Sequence, residues 1–220
     1  MNARTWQSRI ASAVMKHALL KASGTTIFIA LFFSAYFYLL RNPAHEPAIM
    51  PVLWLDRAIG FSPWSLPVYA SLWIYVSLPP ALIETRRELY FYGASIAATC
   101  LLSLIIFYFW PTAVPPSGID WAKYPDVDFL KNIDASGNAC PSLHVVTAVF
   151  SGIWLNRLLN RIGTPRWISM LNRAWCIAII YSTLAMRQHV AIDVATGAAL
   201  GIFSAWLSIR LSSQESRSGI

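Results

Sequence analysis

Residues 90–110 read YFYGASIAATCLLSLIIFYFW, a stretch with no Asp, Glu, Lys, Arg or His. An apolar run of this length matches the roughly 20 helical residues that cross a hydrocarbon core about 30 Å thick. Five more such stretches flank it, at about 24–40, 63–82, 142–160, 171–187 and 189–209. Composition agrees, because 56% of the 220 residues are hydrophobic and 12% are charged, whereas soluble domains are about a quarter charged. The expectation is an all-α integral membrane bundle of six transmembrane helices, forming one domain over residues 1–220 with its core at about 24–210. Six spans use more than half of the chain and leave no room for a second domain of ordinary size. The leading segment 1–23 is basic, and the first span ends without a small-residue cleavage signature, so it is expected to be retained. The tail 211–220 is polar and expected to fray.

The net charge of +7 does not call for nucleic acid, because its distribution has another cause. Arg4, Arg9, Lys16, Lys21, Arg86, Arg87, Arg157, Arg161, Arg166, Arg173, Arg210 and Arg217 fall on one side of the six spans, 12 of 17 basic residues. The other side holds Arg41, Arg57, Lys123, Lys131 and Arg187 with most of the acids, among them Asp56, Asp120 and, at its edge, Asp193. The positive-inside bias then puts both termini in the cytoplasm of a cell (inner or plasma) membrane.

This topology leaves three loops outside, at 41–62, 111–141 and near 187–189. In the first, Ile49-Met50-Pro51-Val52-Leu53-Trp54-Leu55 is apolar but too short to span, so it reads as an interfacial element. In the second, Pro111, Pro115 and Pro116 end the preceding helix and stiffen its exit. Cys100 and Cys176 lie inside spans and Cys140 in a loop, a pattern that does not suggest a disulfide framework.

Two of the four histidines fall at one membrane depth. His144 lies in Cys140-Pro141-Ser142-Leu143-His144 at the outer start of the fourth span, and His189 lies in Arg187-Gln188-His189-Val190-Ala191-Ile192-Asp193 at the outer start of the sixth. His17 and His45 read as surface residues. His189 and Asp193 are four apart, on one helix face, with Cβ atoms about 5–6 Å apart. A carboxylate in a membrane segment is costly unless paired or facing water, and one that orients a histidine leaves the second ring nitrogen free to attack an electrophile. Pro141 suits a first helical turn and Ser142 suits a cap, so the start of the fourth helix offers backbone donors to an anion. His144, on that turn, can protonate a leaving oxygen. Two histidines, one carboxylate and a helix N-terminus suit phosphoryl transfer. The pair taken alone reads slightly better as a structural polar lock between two helices.

Pro141-Ser142-Leu143-His144, followed by His189-x-x-x-Asp193, resembles the type 2 phosphatidic acid phosphatase superfamily. The likeness is nearest to its branch of fungal inositol phosphorylceramide synthase and the sphingomyelin synthases, which have Leu where ordinary lipid phosphatases have Gly. Phe109-Trp110-Pro111-Thr112 through Pro115-Pro116 is similar to the proline-rich segment ending that family's third helix. Leu55-Asp56-Arg57-Ala58-Ile59-Gly60-Phe61-Ser62-Pro63, with Tyr69 after it, is similar to the branch's first outer loop. The resemblance implies a six-helix core and chemistry needing no metal or cofactor. His189 would attack phosphorus with Asp193 as its partner, and His144 would protonate the leaving group. Residues 109–116 supply none of the basic residues that the superfamily's phosphatases carry, and Thr183 stands where they have an Arg. Ser142, the Leu143 backbone, Arg187 and Lys123 are therefore the expected phosphate contacts, with Lys131 as a further candidate cation.

The implied activity is hydrolysis of a lipid phosphate monoester at the outer face. Transfer of a phospho-headgroup between membrane lipids is the alternative, since both reactions begin with the same phosphoenzyme. Two further readings stay open on the residues. One is a zinc site from Cys140, His144, His189 and Asp193. The other is a transporter or assembly subunit, which would rather show midplane polar groups and repeated halves.

Overall fold

The computed structural model describes residues 5–128 and 137–218. Helix α1 (Trp6–Met15) and the long α2 (Ala18–Arg41) come first, joined at His17, whose φ of 55° turns the chain. A short strand β1 (Ala48–Ile49) and helix α3 (Trp54–Ala58) lead into three brief helices, α4 (Leu66–Ala70), α5 (Leu72–Tyr75) and α6 (Leu78–Leu82). Then come α7 (Arg86–Phe109), β2 (Thr112–Ala113), α8 (Leu143–Ile162), α9 (Arg166–Ala185) and α10 (Ala191–Ser218).

Among the described residues, α2, α7, α9 and the Ala191–Gln214 part of α10 are uninterrupted helices long and apolar enough to cross a membrane. The two other expected spans differ in instructive ways. Residues 63–82 are not one helix: Pro67, Pro79 and Pro80 lack the N–H that an α-helical ladder needs, and the ladder is interrupted around Ser71 and at Val76–Ser77. The backbone at Ser71, Val76 and Ser77 stays right-handed helical, so the segment is an interrupted helix. Helix α8 is regular over 20 residues, but Asn156, Arg157, Asn160 and Arg161 make its last third polar. Helix α2 begins at Ala18 rather than at 24, and Lys21 lies inside it instead of in the leading basic segment. Its buried ammonium donates to Ala13 O at 2.6 Å and Ala81 O at 2.7 Å, which satisfies the charge locally.

Helix α8 is central, with Trp154, Phe150, Val145, Val146 and Leu158 fully buried. Lipid tails are as apolar as Leu, so helices in a bilayer associate through close packing and interhelical polar bonds. Both are present. Gly197 and Gly201 bring α10 against α8: a methyl group at Gly197 would lie 2.7 Å from Ser142 O, and one at Gly201 2.8 Å from Val146 O. Trp154 Nε1 donates to Ser208 Oγ at 2.8 Å, and Tyr75 Oη to Asn172 Oδ1 at 2.7 Å. Such bonds contribute about 0.6–2 kcal/mol each.

The expected outer loops gather at one end of the bundle. β1 and β2 pair in parallel, Ser62 N–H donates to Ala185 O at 2.9 Å, and Cys140 N–H donates to Thr112 Oγ1 at 2.8 Å. The opposite end collects Lys16 on Glu84 at 2.9 Å, Arg161 on Glu88 at 2.7 Å, and Arg9 on the carbonyls of Arg161 and Ile162. The charge asymmetry of the sequence is thus the asymmetry of the two ends. Cys100, Cys140 and Cys176 are free thiols.

Candidate active site

The start of α8 is built by its cap. Ser142 is the N-cap residue and its Oγ accepts the Val145 N–H at 3.4 Å. Pro141, expected in the first turn, instead precedes the cap and follows a cis peptide bond from Cys140. The N–H groups of the first turn, at Leu143 and His144, have no intrahelical acceptor, and the helix dipole adds partial positive charge there. Ser142 N–H donates to Asp193 O at 3.0 Å, so the two motifs picked out in the sequence are tied together through the backbone.

Helix α9 ends at Ala185, and the chain reverses at Arg187, whose φ is 55°. Thr183 O accepts the N–H groups of Gln188 at 3.1 Å and His189 at 3.3 Å, which fixes the turn ahead of α10. Asp193 sits in the first turn of α10 and is wholly buried, and His189 is 8% exposed. Asp193 Oδ2 accepts the Val190 N–H at 2.9 Å and faces His189 Nδ1 at 3.6 Å. That separation exceeds an ordinary hydrogen bond. Among the described residues, His189 Nδ1, Asp193 Oδ1 and Gln188 Nε2 are buried without a hydrogen-bond partner. About nine in ten buried polar groups are satisfied, so three orphans in one turn mark a site where stability is not the first requirement.

His144 completes the cluster. Its ring stacks on Tyr69 with centroids 4.5 Å apart, stands edge-on to Trp73 at 5.9 Å, and lies 5.8 Å from the ring of His189. Tyr69 Oη is 3.5 Å from His144 Nδ1, which directs that nitrogen toward the phenol. Both histidines line one end of a cleft of about 730 Å³ between α2, α4 to α6, α7 and α8.

The expected cations Arg187 and Lys123 both bond to protein groups. Arg187 donates to Asp56 O at 2.6 Å and Ile59 O at 2.8 Å, so its guanidinium is turned onto α3. Lys123 forms an exposed pair with Asp120 at 3.3 Å. Lys131 lies outside the described residues. Thr183 is buried and its hydroxyl donates to Ile180 O at 2.7 Å. No group of three His, Cys, Asp or Glu side chains is gathered for a metal among the described residues. Cys140 Sγ lies 3.2 Å from Thr196 Oγ1, and burial pushes its thiol up.

Two contributors went unassigned in the sequence. Tyr69 is one. Asp56 is the other, noted there as an outer acid and within the stretch similar to the branch's first outer loop but given no role: it is 3% exposed. Its Oδ1 accepts the Ala191 N–H at 2.7 Å and its Oδ2 the Leu53 N–H at 2.7 Å. Together with the Arg187 bonds, α3 grips the His189 turn two residues before and two residues after the histidine. The available signal was a single carboxylate inside the apolar stretch Ile49–Ile59.

The sequence matches the family model described as the PAP2 superfamily over residues 85–217, more than half of the chain. Comparison with curated proteins finds no match. The matched region holds α7 to α10 with Ser142, His144, His189 and Asp193, while Asp56 and Tyr69 lie ahead of it. The chain therefore belongs to the PAP2 superfamily, whose members are phosphatases or phosphotransferases.

Proposed function

We propose that this protein is a membrane-embedded lipid phosphatase that hydrolyses a phosphate monoester through a phosphohistidine. The observation that carries the reading is the pair of histidine rings 5.8 Å apart at the end of an apolar cleft. Two reacting contacts of about 3–3.5 Å bridge that separation, so one phosphoryl group can touch both. His189 attacks phosphorus through Nε2, because Nδ1 faces Asp193. As the N–P bond forms, the P–O bond to the lipid breaks, and the departing oxygen takes a proton from His144. Water then attacks the phosphohistidine, giving its proton to His144, and inorganic phosphate leaves with His189 restored. The N–H groups of Leu143 and His144, on the Ser142-capped turn, stabilise the equatorial oxygens. Six helical crossings, counting α8 and the interrupted helix, put the site at the outer face and both termini in the cytoplasm. The clustering of basic groups at the opposite end supports that orientation.

Headgroup transfer is the second reading. Leu143 and Thr183 favour it, because the synthase-like branch has Leu at the first position and lacks the phosphatases' basic residue at the second.

The discriminating assay is inorganic phosphate release from a panel of lipid phosphates in detergent with EDTA. Release that persists in chelator is expected. No release from any of them, with product formed only when diacyl phospholipid and an alcohol acceptor are added, would favour transfer.

Asp56 is expected to act as a positioning residue. Asp56→Ala leaves the Ala191 and Leu53 N–H groups unmatched and frees the turn, and misplacement near 1 Å costs up to about a hundredfold in rate. The expected result is a fall in kcat of about ten- to a hundredfold with KM little changed, and partial recovery in Asp56→Asn, which keeps one acceptor. An unaltered kcat in Asp56→Ala, measured on folded protein, would remove Asp56 from the account.

A further inference from the structure

The cleft is long in one direction, and its two ends are identifiable from bonds. At one end Asn138 Nδ2 donates to Tyr36 O at 3.3 Å, close to His144 and His189. At the other, Lys21 reaches Ala81 O. Gly24 precedes Tyr36 by twelve residues, about 18 Å of helix. One leaflet of the hydrocarbon core is about 15 Å deep, so the cleft is longer than one leaflet is deep. Its wall near the histidines is an aromatic chain: His144 meets Trp73, Trp73 meets Phe33 at 5.1 Å, and Phe33 leads through Phe32 to Phe28.

The inner end is open for a specific reason. Gly24 on α2 and Gly93 on α7 both line the cleft, and a methyl group at either would meet nothing within 4 Å. Glycine inside a helix costs about 1 kcal/mol relative to Ala. At these two positions no backbone approach explains it, unlike Gly197 and Gly201, whose missing side chains let α10 touch α8.

We propose that the cleft seats a hydrocarbon chain of the lipid substrate along its length, and that Gly24 and Gly93 form the gap admitting a chain longer than one leaflet is deep. The inference rests on the lipid phosphate reading for the headgroup and on the cleft for the chain. A chain moving from bilayer to cleft leaves one apolar medium for another, so little hydrophobic energy is gained. Discrimination therefore comes from shape: filling the inner end excludes the long chain and leaves a short one unaffected.

The test compares the full-length wild type with Gly93→Phe in two assays. The first measures hydrolysis of lipid phosphates with chains of about 10 Å and about 20 Å, shorter and longer than one leaflet. The second photolabels the protein with the longer lipid carrying a diazirine at its chain end. Wild type is expected to be labelled within 20–28 or 89–96. In Gly93→Phe that label and long-chain kcat/KM are expected to fall about tenfold or more, as overpacking implies, with short-chain kcat/KM within about twofold. Unchanged labelling and unchanged long-chain turnover in Gly93→Phe would overturn the inference, as would a wild-type label confined to the histidine end. Gly24→Phe plugs the same gap from the facing helix and serves if Gly93→Phe does not fold. Inner-end labelling that Gly93→Phe abolishes, in a protein that hydrolyses no lipid phosphate, would uphold the chain site and refute the hydrolase reading.

Discussion

His189→Ala is expected to lower turnover at least about a thousandfold, because the variant has lost the group that forms the covalent intermediate. The remaining stabilisation by helix N–H groups and substrate binding sets the floor, as it does when a nucleophile is removed from other covalent enzymes. Fold should survive. His189 makes no side-chain hydrogen bond among the described residues, and its backbone N–H to Thr183 O is independent of the side chain. Asp193→Asn should come close to the same loss with an intact helix, since Asn can still accept the Val190 N–H that Asp193 Oδ2 holds at 2.9 Å but cannot stabilise an imidazolium. The assay is turnover of the best lipid phosphate, beside a thermal melt in the same detergent. Turnover near wild type in His189→Ala would remove the nucleophile from the proposed reaction.

The second large effect belongs to His144. As the proton donor it matters in proportion to how badly the leaving oxygen needs a proton. His144→Gln is expected to slow hydrolysis of an alkyl phosphate by about 10²- to 10⁴-fold. Release of the first equivalent of phenol from an aryl phosphate should suffer far less, because a phenolate departs without protonation. Later turnovers of the aryl substrate should still be slow, since His144 also takes the proton from the attacking water. The geometry supports this role through the Tyr69 stack at 4.5 Å and the Tyr69 Oη–His144 Nδ1 approach at 3.5 Å, which fix the ring toward His189. Equal losses on alkyl and aryl substrates in the first turnover would show that His144 merely packs.

The sequence discloses some parts of this arrangement because single segments encode them. Residues 90–110 carry no charged side chain, and α7 runs from Arg86 to Phe109. Charge placement alone puts His144 and His189 at one depth, and their rings are 5.8 Å apart. The interruptions within 63–82 go unread, because an apolar count is blind to the N–H groups missing at Pro67, Pro79 and Pro80. Lys21 misleads for a similar reason: a lysine before an apolar run looks solvated until Ala13 O and Ala81 O are brought to it. The Asp56 clamp and the Tyr69 stack join residues far apart in the chain, 56 with 191 and 69 with 144. No periodicity or spacing records such contacts, so they become visible only once the helices are packed. Arg187 is likewise tied to distant residues: its guanidinium is held by the carbonyls of Asp56 and Ile59.

The most direct measurement is to mix the wild type with a lipid phosphate labelled on phosphorus, quench in base within a turnover, and map the bound label. Phosphohistidine survives base and is lost in acid, so the quench selects it from acyl phosphate. The account predicts base-stable label on His189, absent in His189→Ala. Label on any other residue, or steady phosphate release with no covalent label at any time, would contradict it.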